Sequence, residues 1–130
     1  MIKHLMLAAL FTVATAAQAA CPGDLVSMRV SKLKPGGSMA GFADAARDNA
    51  RWYAAHGMKD DRFVVAPVYE QSGGEAKPSV TRIATFHVYG SAKQPKPDAA
   101  WAAFVAKYQA NSSIESTTQV CLPKGSFVAK

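Results

Sequence analysis

The chain has 130 residues, 49% of them hydrophobic, with 15 Lys and Arg against 9 Asp and Glu for a net charge of +6 at pH 7. That length suits one domain built on one core and gives no reason to divide it. The cations are scattered from Arg29 to Lys130 with no run of the kind that tracks phosphates, so the positive balance reads as solvated surface and excludes a dedicated nucleic-acid tract.

At the N-terminus, Met1-Ile2-Lys3-His4 leads into an apolar run over 5–17, and Ala17-Gln18-Ala19 has the small-x-small form of a signal peptidase site. The expectation is a signal peptide over 1–19, export to the periplasm or the medium, and a single mature domain over 20–130. Removing 19 of the 130 residues leaves 111 and takes away Lys3 alone among the charged residues, for a net charge of about +5. The apolar run is too short to span a bilayer and no later stretch resembles a span, so none is expected after cleavage. Cys21 and Cys121 are the two cysteines, a hundred positions apart, and in an exported chain the default is one disulfide between them. A lipid-modified Cys21 is disfavoured because Gln18 stands where such signals want a leucine-like residue.

Along the mature chain, 25–33 alternates Val26, Met28 and Val30 with Ser27, Arg29 and Ser31, the pattern of a half-buried strand. Lys34-Pro35-Gly36-Gly37 is turn chemistry, and Ser38 offers an N-cap. Over 39–56, Met39, Phe42, Ala46, Asn49, Ala50 and Tyr53 share one helical face, opposite Asp44, Arg47, Asp48 and Arg51. Gly57 suits the left-handed position that ends a helix. A second strand over 62–70 contains Pro67, which cannot donate to a ladder and so belongs at a sheet edge. Residues 71–79 read as a long, flexible connector, and 80–89, dense in β-branched and aromatic types, as a third strand. After a polar loop, Asp98 is a plausible N-cap for a helix with Trp101, Phe104, Val105 and Tyr108 on one stripe, fading near 111–113. A last strand runs over 116–122 and stops at Pro123-Lys124-Gly125; residues 126–130 receive no assignment.

The order β-α-β-β-α-β is the ferredoxin-like arrangement, an α+β fold whose antiparallel four-stranded sheet has spatial order 4-1-3-2 with both helices on one face. Pro67 then falls on an edge strand, and the antiparallel neighbours one and four bring Cys121 toward Cys21. The most apolar set, Val26, Met28, Val30, Val64, Ala66, Val68, Ala84, Phe86, Val88, Thr118, Val120 and Leu122, is expected under the helices. The other set, with Ser27, Arg29, Phe63, Val65, Tyr69, Ile83, Thr85, His87, Tyr89 and Gln119, is too apolar for water and too polar for an ordinary core, so a partner sheet from a second copy is expected to cover it.

Leu33-Lys34-Pro35-Gly36-Gly37 leading from a strand into a helix with Phe42, and Trp52-Tyr53-Ala54-Ala55-His56-Gly57 at its end, resemble the dimeric α/β barrel superfamily, which includes antibiotic-biosynthesis-type monooxygenases and NIPSNAP-like proteins. The resemblance implies a homodimer whose two sheets enclose a cavity. In that cavity Arg29, Tyr69, His87, Tyr89 and Gln119 would bind a small apolar or anionic ligand, with no cofactor. His87 is also the candidate catalytic residue of an alternative reading, a cofactor-independent monooxygenase-like or isomerase-like enzyme in which it carries a proton. The simpler reading of His87 is a hydrogen bond satisfied at the dimer interface. A third alternative is a structural or interaction module with a filled barrel.

Asn49, Trp52 and His56 are residue types used by haem-degrading relatives of this superfamily, but they lie on one helix and do not match that site position by position, so helix packing and an interaction of His56 with the helix C-terminus are expected instead. His56 and His87 have no carboxylate spaced with them in sequence, which gives no basis for a metal site. RNA-recognition domains share the element order, yet Arg82-Ile83-Ala84-Thr85-Phe86-His87 lacks their glycine-containing basic motif, and no Gly-rich phosphate loop or Gly-x-Ser-x-Gly elbow is present.

Overall fold

The structure is a computed structural model that describes residues 21–90 and 93–126. The expected signal peptide lies outside the described residues, as do Ser91, Ala92 and 127–130. The elements run β1 (Asp24–Leu33), α1 (Met39–Ala55), β2 (Arg62–Ser72), β3 (Glu75–Tyr89), α2 (Ala99–Asn111) and β4 (Ser112–Leu122). All strand pairings are antiparallel, in the order β2-β3-β1-β4. This is the ferredoxin-like arrangement of the expected topology, with Pro67 on the edge strand β2.

Local chemistry explains where the helices start and stop. Lys34 O accepts the Gly37 N–H at 2.9 Å across a turn in which Gly36 takes φ +79°. Ser38 then caps α1, its Oγ accepting from Gly41 N at 3.0 Å, and Gly57 at φ +82° ends it. Asp98 caps α2 through Oδ1 and Trp101 N at 2.8 Å. The start of α1 abuts the end of α2 at Asn111, whose O accepts from Lys34 N and whose Oδ1 accepts from Ser38 N, both at 3.0 Å. A Cβ on Gly37 would fall 2.0 Å from Asn111 O, so only glycine permits that approach.

Two strands are longer than their sequence pattern suggests. The stretch 71–79 is no loose connector: Gly73 and Gly74 both take positive φ in a two-residue hairpin turn, and β3 already begins at Glu75. β4 likewise starts at Ser112, directly after α2, and carries an irregularity opposite Val30 and Ser31. Cys21 and Cys121 form the disulfide, with Cα atoms 5.6 Å apart.

The two sheet faces are exchanged relative to the sequence expectation. Ser27 pairs with His87, Arg29 with Thr85 and Ser31 with Ile83, and this set lies beneath the helices: Tyr53 of α1 touches the His87 ring, and Phe63 and Val65 face Ala43, Ala46 and Ala50. Leu25, Ser27, Ser31, Ile83, Thr85 and His87 are buried there. Bulk comes from the helices, through Phe42, Trp52, Phe104 and Tyr108, so small or hydrogen-bonded sheet residues suffice below them. The apolar set of Val26, Met28, Val30, Val64, Ala66, Ala84, Phe86, Val88, Thr118, Val120 and Leu122 occupies the opposite face, where Val26, Ala84 and Val88 are buried and Met28, Val30 and Phe86 half-buried. Val64 and Val120 remain 39% and 38% exposed on it.

Candidate functional site

β3 directs His87 toward α1, and the segment between α1 and β2 brings a carboxylate to it. After Gly57, Met58 N bonds to Tyr53 O at 3.0 Å and Asp61 N to Met58 O at 3.2 Å, a tight turn that delivers Asp61. Asp61 Oδ2 lies 2.8 Å from His87 Nε2, and Asp61 Oδ1 accepts from Gly90 N at 2.8 Å. Both side chains are nearly buried, at 10% exposure for His87 and 3% for Asp61. Gly90 has to be a glycine, because a Cβ there would sit 2.5 Å from Asp60 Cβ.

Aromatic rings enclose this pair. The His87 ring lies 4.6 Å from that of Tyr53, 4.0 Å from Tyr89 and 5.8 Å from Phe63. Burial raises the Tyr53 phenol above its ordinary range, reinforced by Tyr89 and Asp61 and opposed by Arg29. Burial also raises Tyr89, against the Arg29 charge and a hydrogen bond with Ser27. Both phenols therefore stay protonated at neutral pH and present O–H donors to a cluster that already holds one carboxylate and one imidazole. Chemically, the arrangement orients an imidazole through one nitrogen, the geometry a proton carrier needs, and it equally well locks the start of β2 to the end of β3.

Of the residues expected to line one cavity, Arg29, His87, Tyr89 and Gln119 do share a face, the one beneath the helices. Arg29 faces the three phenols of Tyr53, Tyr89 and Tyr108 electrostatically, while Gln119 lies across Ser27 from His87 and is exposed. Tyr69 stands apart, 61% exposed on the β2–β3 hairpin beyond the four-stranded region. Asp61 and Tyr53 were not singled out by the sequence pattern as partners of His87. Their signal was the ladder itself: Phe63 pairs with His87, so Asp61, two residues earlier, falls on the same side one step along.

Asn49, Trp52 and His56 serve the contact between helices. Trp52 Nε1 donates to Asp98 Oδ1 at 2.8 Å, and His56 bridges Trp52 O at 2.8 Å and Asp98 Oδ2 at 3.0 Å, which matches the expected interaction of His56 with the end of its helix. The Trp101 N–H, the Trp52 indole and His56 together hold the Asp98 carboxyl below the usual carboxylate range. Asn49 is buried, its Nδ2 donating to Tyr108 Oη at 3.5 Å and its Oδ1 without a hydrogen-bond partner. A shallow groove of about 380 Å³ runs between the helices past Trp52, Ala55, Ala100 and Phe104. A smaller crevice of about 270 Å³ separates α1 from β2 at Ala46, Ala50, Phe63 and Val65.

Among the described residues no group of three or more His, Cys, Asp or Glu could hold a metal ion, and no helix is long and apolar enough to cross a membrane. Comparison with protein-family models, curated proteins and solved structures finds no match.

Proposed function

We propose that this chain is an exported, disulfide-closed homodimer of the dimeric α/β barrel type, in which two copies set together the sheet faces opposite their helices and hold a small ligand between them. The observation that supports it is the apolar character of the face opposite the helices, on which Val64 and Val120 are 39% and 38% exposed while Val26, Ala84 and Val88 are buried. Charged groups stand at its two ends, Arg62 facing Asp24 at 3.6 Å at one and Arg82 bonded to Glu70 and Glu115 at the other, the apolar-centre, polar-rim layout of an interface. A two-fold axis makes such a face its own complement. The ligand in this reading is apolar, since Arg29 and His87, which favoured an anion, belong to the other face of the sheet, His87 buried and Arg29 exposed. A native mass spectrum of the protein isolated from the periplasm tests it by reporting oligomer, disulfide and retained ligand together. A dimer that releases an apolar molecule is expected, a monomer at micromolar concentration sinks the reading, and a ligand-free dimer points to the structural or interaction module.

A second reading, a cofactor-independent monooxygenase-like or isomerase-like enzyme, draws support from the 2.8 Å contact of His87 with Asp61. Asp61 would fix the imidazole and leave Nδ1 to take a substrate proton. Replacing His87 by Ala and finding unchanged turnover on any substrate of the protein would remove His87 from that role.

A further inference from the structure

Arg29 is placed unlike the other arginines. Arg47, Arg51, Arg62 and Arg82 each reach a carboxylate, while Arg29 forms no ion pair and no hydrogen bond among the described residues. It stands on β1, an inner strand, between Thr85 of β3 and Thr117 of β4, on the sheet face toward the helices. Its neighbours on that face divide in two. Ser27, Ser31 and Thr85 are buried, whereas Arg29, Thr117 and Gln119 are exposed. The helices therefore close over Thr85 and leave a gap over Thr117 and Gln119, and the unpaired guanidinium belongs to that gap.

Three phenols border it. Tyr89 continues the same face of β3, Tyr53 comes from α1 with its ring against His87, and Tyr108 comes from α2 with its ring 5.0 Å from that of Phe42. The Arg29 charge acts on all three, opposing the rise that burial imposes on them. Asn49, only 8% exposed, donates from Nδ2 to Tyr108 Oη at 3.5 Å, so the Tyr108 proton is not spent on that contact. Asn49 Oδ1 has no hydrogen-bond partner, so this end of the cluster is incompletely satisfied. The carboxylate that lies closest in the fold, Asp61, is committed to His87 and Gly90. Arg29 is thus a cation among hydroxyl donors, and what the group lacks is an anion.

Charge decides the class of anion. A phosphate carries nearly a second negative charge at neutral pH, and the other ionisable nitrogen on this face, that of His87, is already held by Asp61. One guanidinium matches one carboxylate, which it takes through two parallel N–H bonds, leaving further lone pairs for phenol hydroxyls. We infer that the gap beside β4 on the helix side of the sheet binds a small carboxylate, held by Arg29 and by the hydroxyls of Tyr89 and Tyr108, with Thr117 and Gln119 at its rim. It lies across the sheet from the face that meets a second copy in the reading above, so neither depends on the other.

The test is a calorimetric and amide-NMR titration of the mature protein with benzoate, and separately with inorganic phosphate, on wild type, Arg29→Met, Tyr108→Phe and Lys32→Met. Lys32 is exposed on the same strand but belongs to the other face, so Lys32→Met removes one charge without touching the gap. Benzoate is expected to bind wild type and Lys32→Met alike at millimolar concentration, with amide shifts at Thr117 and Gln119. Tyr108→Phe should bind it more weakly, and Arg29→Met about tenfold more weakly or worse. The carboxylate site is overturned if benzoate does not bind at that concentration, if binding survives Arg29→Met, or if Lys32→Met weakens it equally, which is diffuse attraction to a basic surface. Phosphate binding tighter than benzoate overturns the carboxylate class. Circular dichroism checks each fold, and should Arg29→Met misfold, Arg29→Lys, which keeps the charge and loses the fork, takes its place: weaker benzoate binding supports the site and unchanged binding refutes it.

Discussion

His87 Nε2 and Gly90 N both bond to the one carboxylate of Asp61, at 2.8 Å each, so a single buried side chain ties the start of β2 to the end of β3. Asp61 is reached through a turn stabilised by backbone bonds alone, and the side chain is 3% exposed. Whatever chemistry His87 performs, its ring orientation depends on this contact.

Removing the carboxylate tests that dependence. Asp61→Ala leaves a His87 nitrogen buried without its partner, while the exposed Gly90 N–H turns to water, and the expected cost is about 1 to 3 kcal/mol. Asp61→Asn keeps an acceptor for Gly90 and the side-chain volume, so it should cost clearly less. Urea denaturation of the three proteins measures both, and an Asp61→Ala variant within about 0.5 kcal/mol of wild type, the range of an ordinary surface substitution, would show that the contact contributes nothing to stability.

Asp98 joins the two helices in a comparable way at the surface, accepting from Trp52 Nε1 and Trp101 N and facing His56. Its carboxyl is held below the ordinary range, chiefly by the Trp101 N–H. A carboxylate depressed on folding adds stability that is present above its unfolded value near pH 4 and is lost as pH falls through the folded value. Melting temperature followed from pH 6 to pH 2 should therefore fall less steeply for Asp98→Asn than for wild type. Parallel curves would assign the acid sensitivity elsewhere, for example to Glu70 and Glu115, which Ser79 and Arg82 also hold low.

The element order, both helix caps, the edge position of Pro67 and the disulfide were legible because each rests on a readable signal: a 3.6-residue stripe, a hydroxyl or carboxylate before it, a missing N–H, and a lone pair of cysteines on antiparallel neighbours. The choice of sheet face was not. Apolarity ranks Val26, Met28 and Val30 above Ser27, Arg29 and Ser31, and that ranking alone places the valines in the core. Val26, Ala84 and Val88 are indeed buried, but the helices lie on the other face, where α1 and α2 bring enough aromatic bulk in Phe42, Trp52 and Phe104 that serines and Thr85 can lie beneath them. Of the candidate site, His87, Arg29 and Tyr89 were correctly grouped on one face by alternation. Tyr69 dropped out because it lies past the register slip, on the two-stranded part of the hairpin beyond the end of β1.

The bond between Cys21 and Cys121 closes a loop of nearly the whole described chain, with a sequence separation of 100. It holds β4 to the residues that precede β1, where Leu25 already pairs with Cys121. On the chain-entropy account a loop of this length contributes about 4 to 5 kcal/mol, and natural disulfides removed from small exported domains cost about 2 to 5 kcal/mol. The paired Cys21→Ser/Cys121→Ser variant should lose stability in that range by denaturant titration. An unchanged midpoint would mean that the antiparallel β1–β4 ladder alone holds the two ends together.

Three half-buried phenols set the alkaline limit. Burial pushes Tyr108 up to about 12, against a hydrogen bond from Asn49 and the charge of Arg29, and it raises Tyr53 and Tyr89 as well. A group raised on folding contributes stability that is intact below its unfolded value, near pH 10 for a phenol, and is lost as pH climbs through the folded value. Stability should therefore decline from about pH 10 upward as the unfolded state ionises first. Spectrophotometric titration at alkaline pH should show these phenols ionising late, together with unfolding, and Tyr53→Phe should lessen the decline by removing one of them. Arg29 opposes the shift at all three sites, so Arg29→Met should move the ionisation later still. If Arg29→Met leaves the titration curve where it was, Arg29 does not face these phenols, and the grouping of Arg29, Tyr53 and Tyr89 around His87 loses its electrostatic basis.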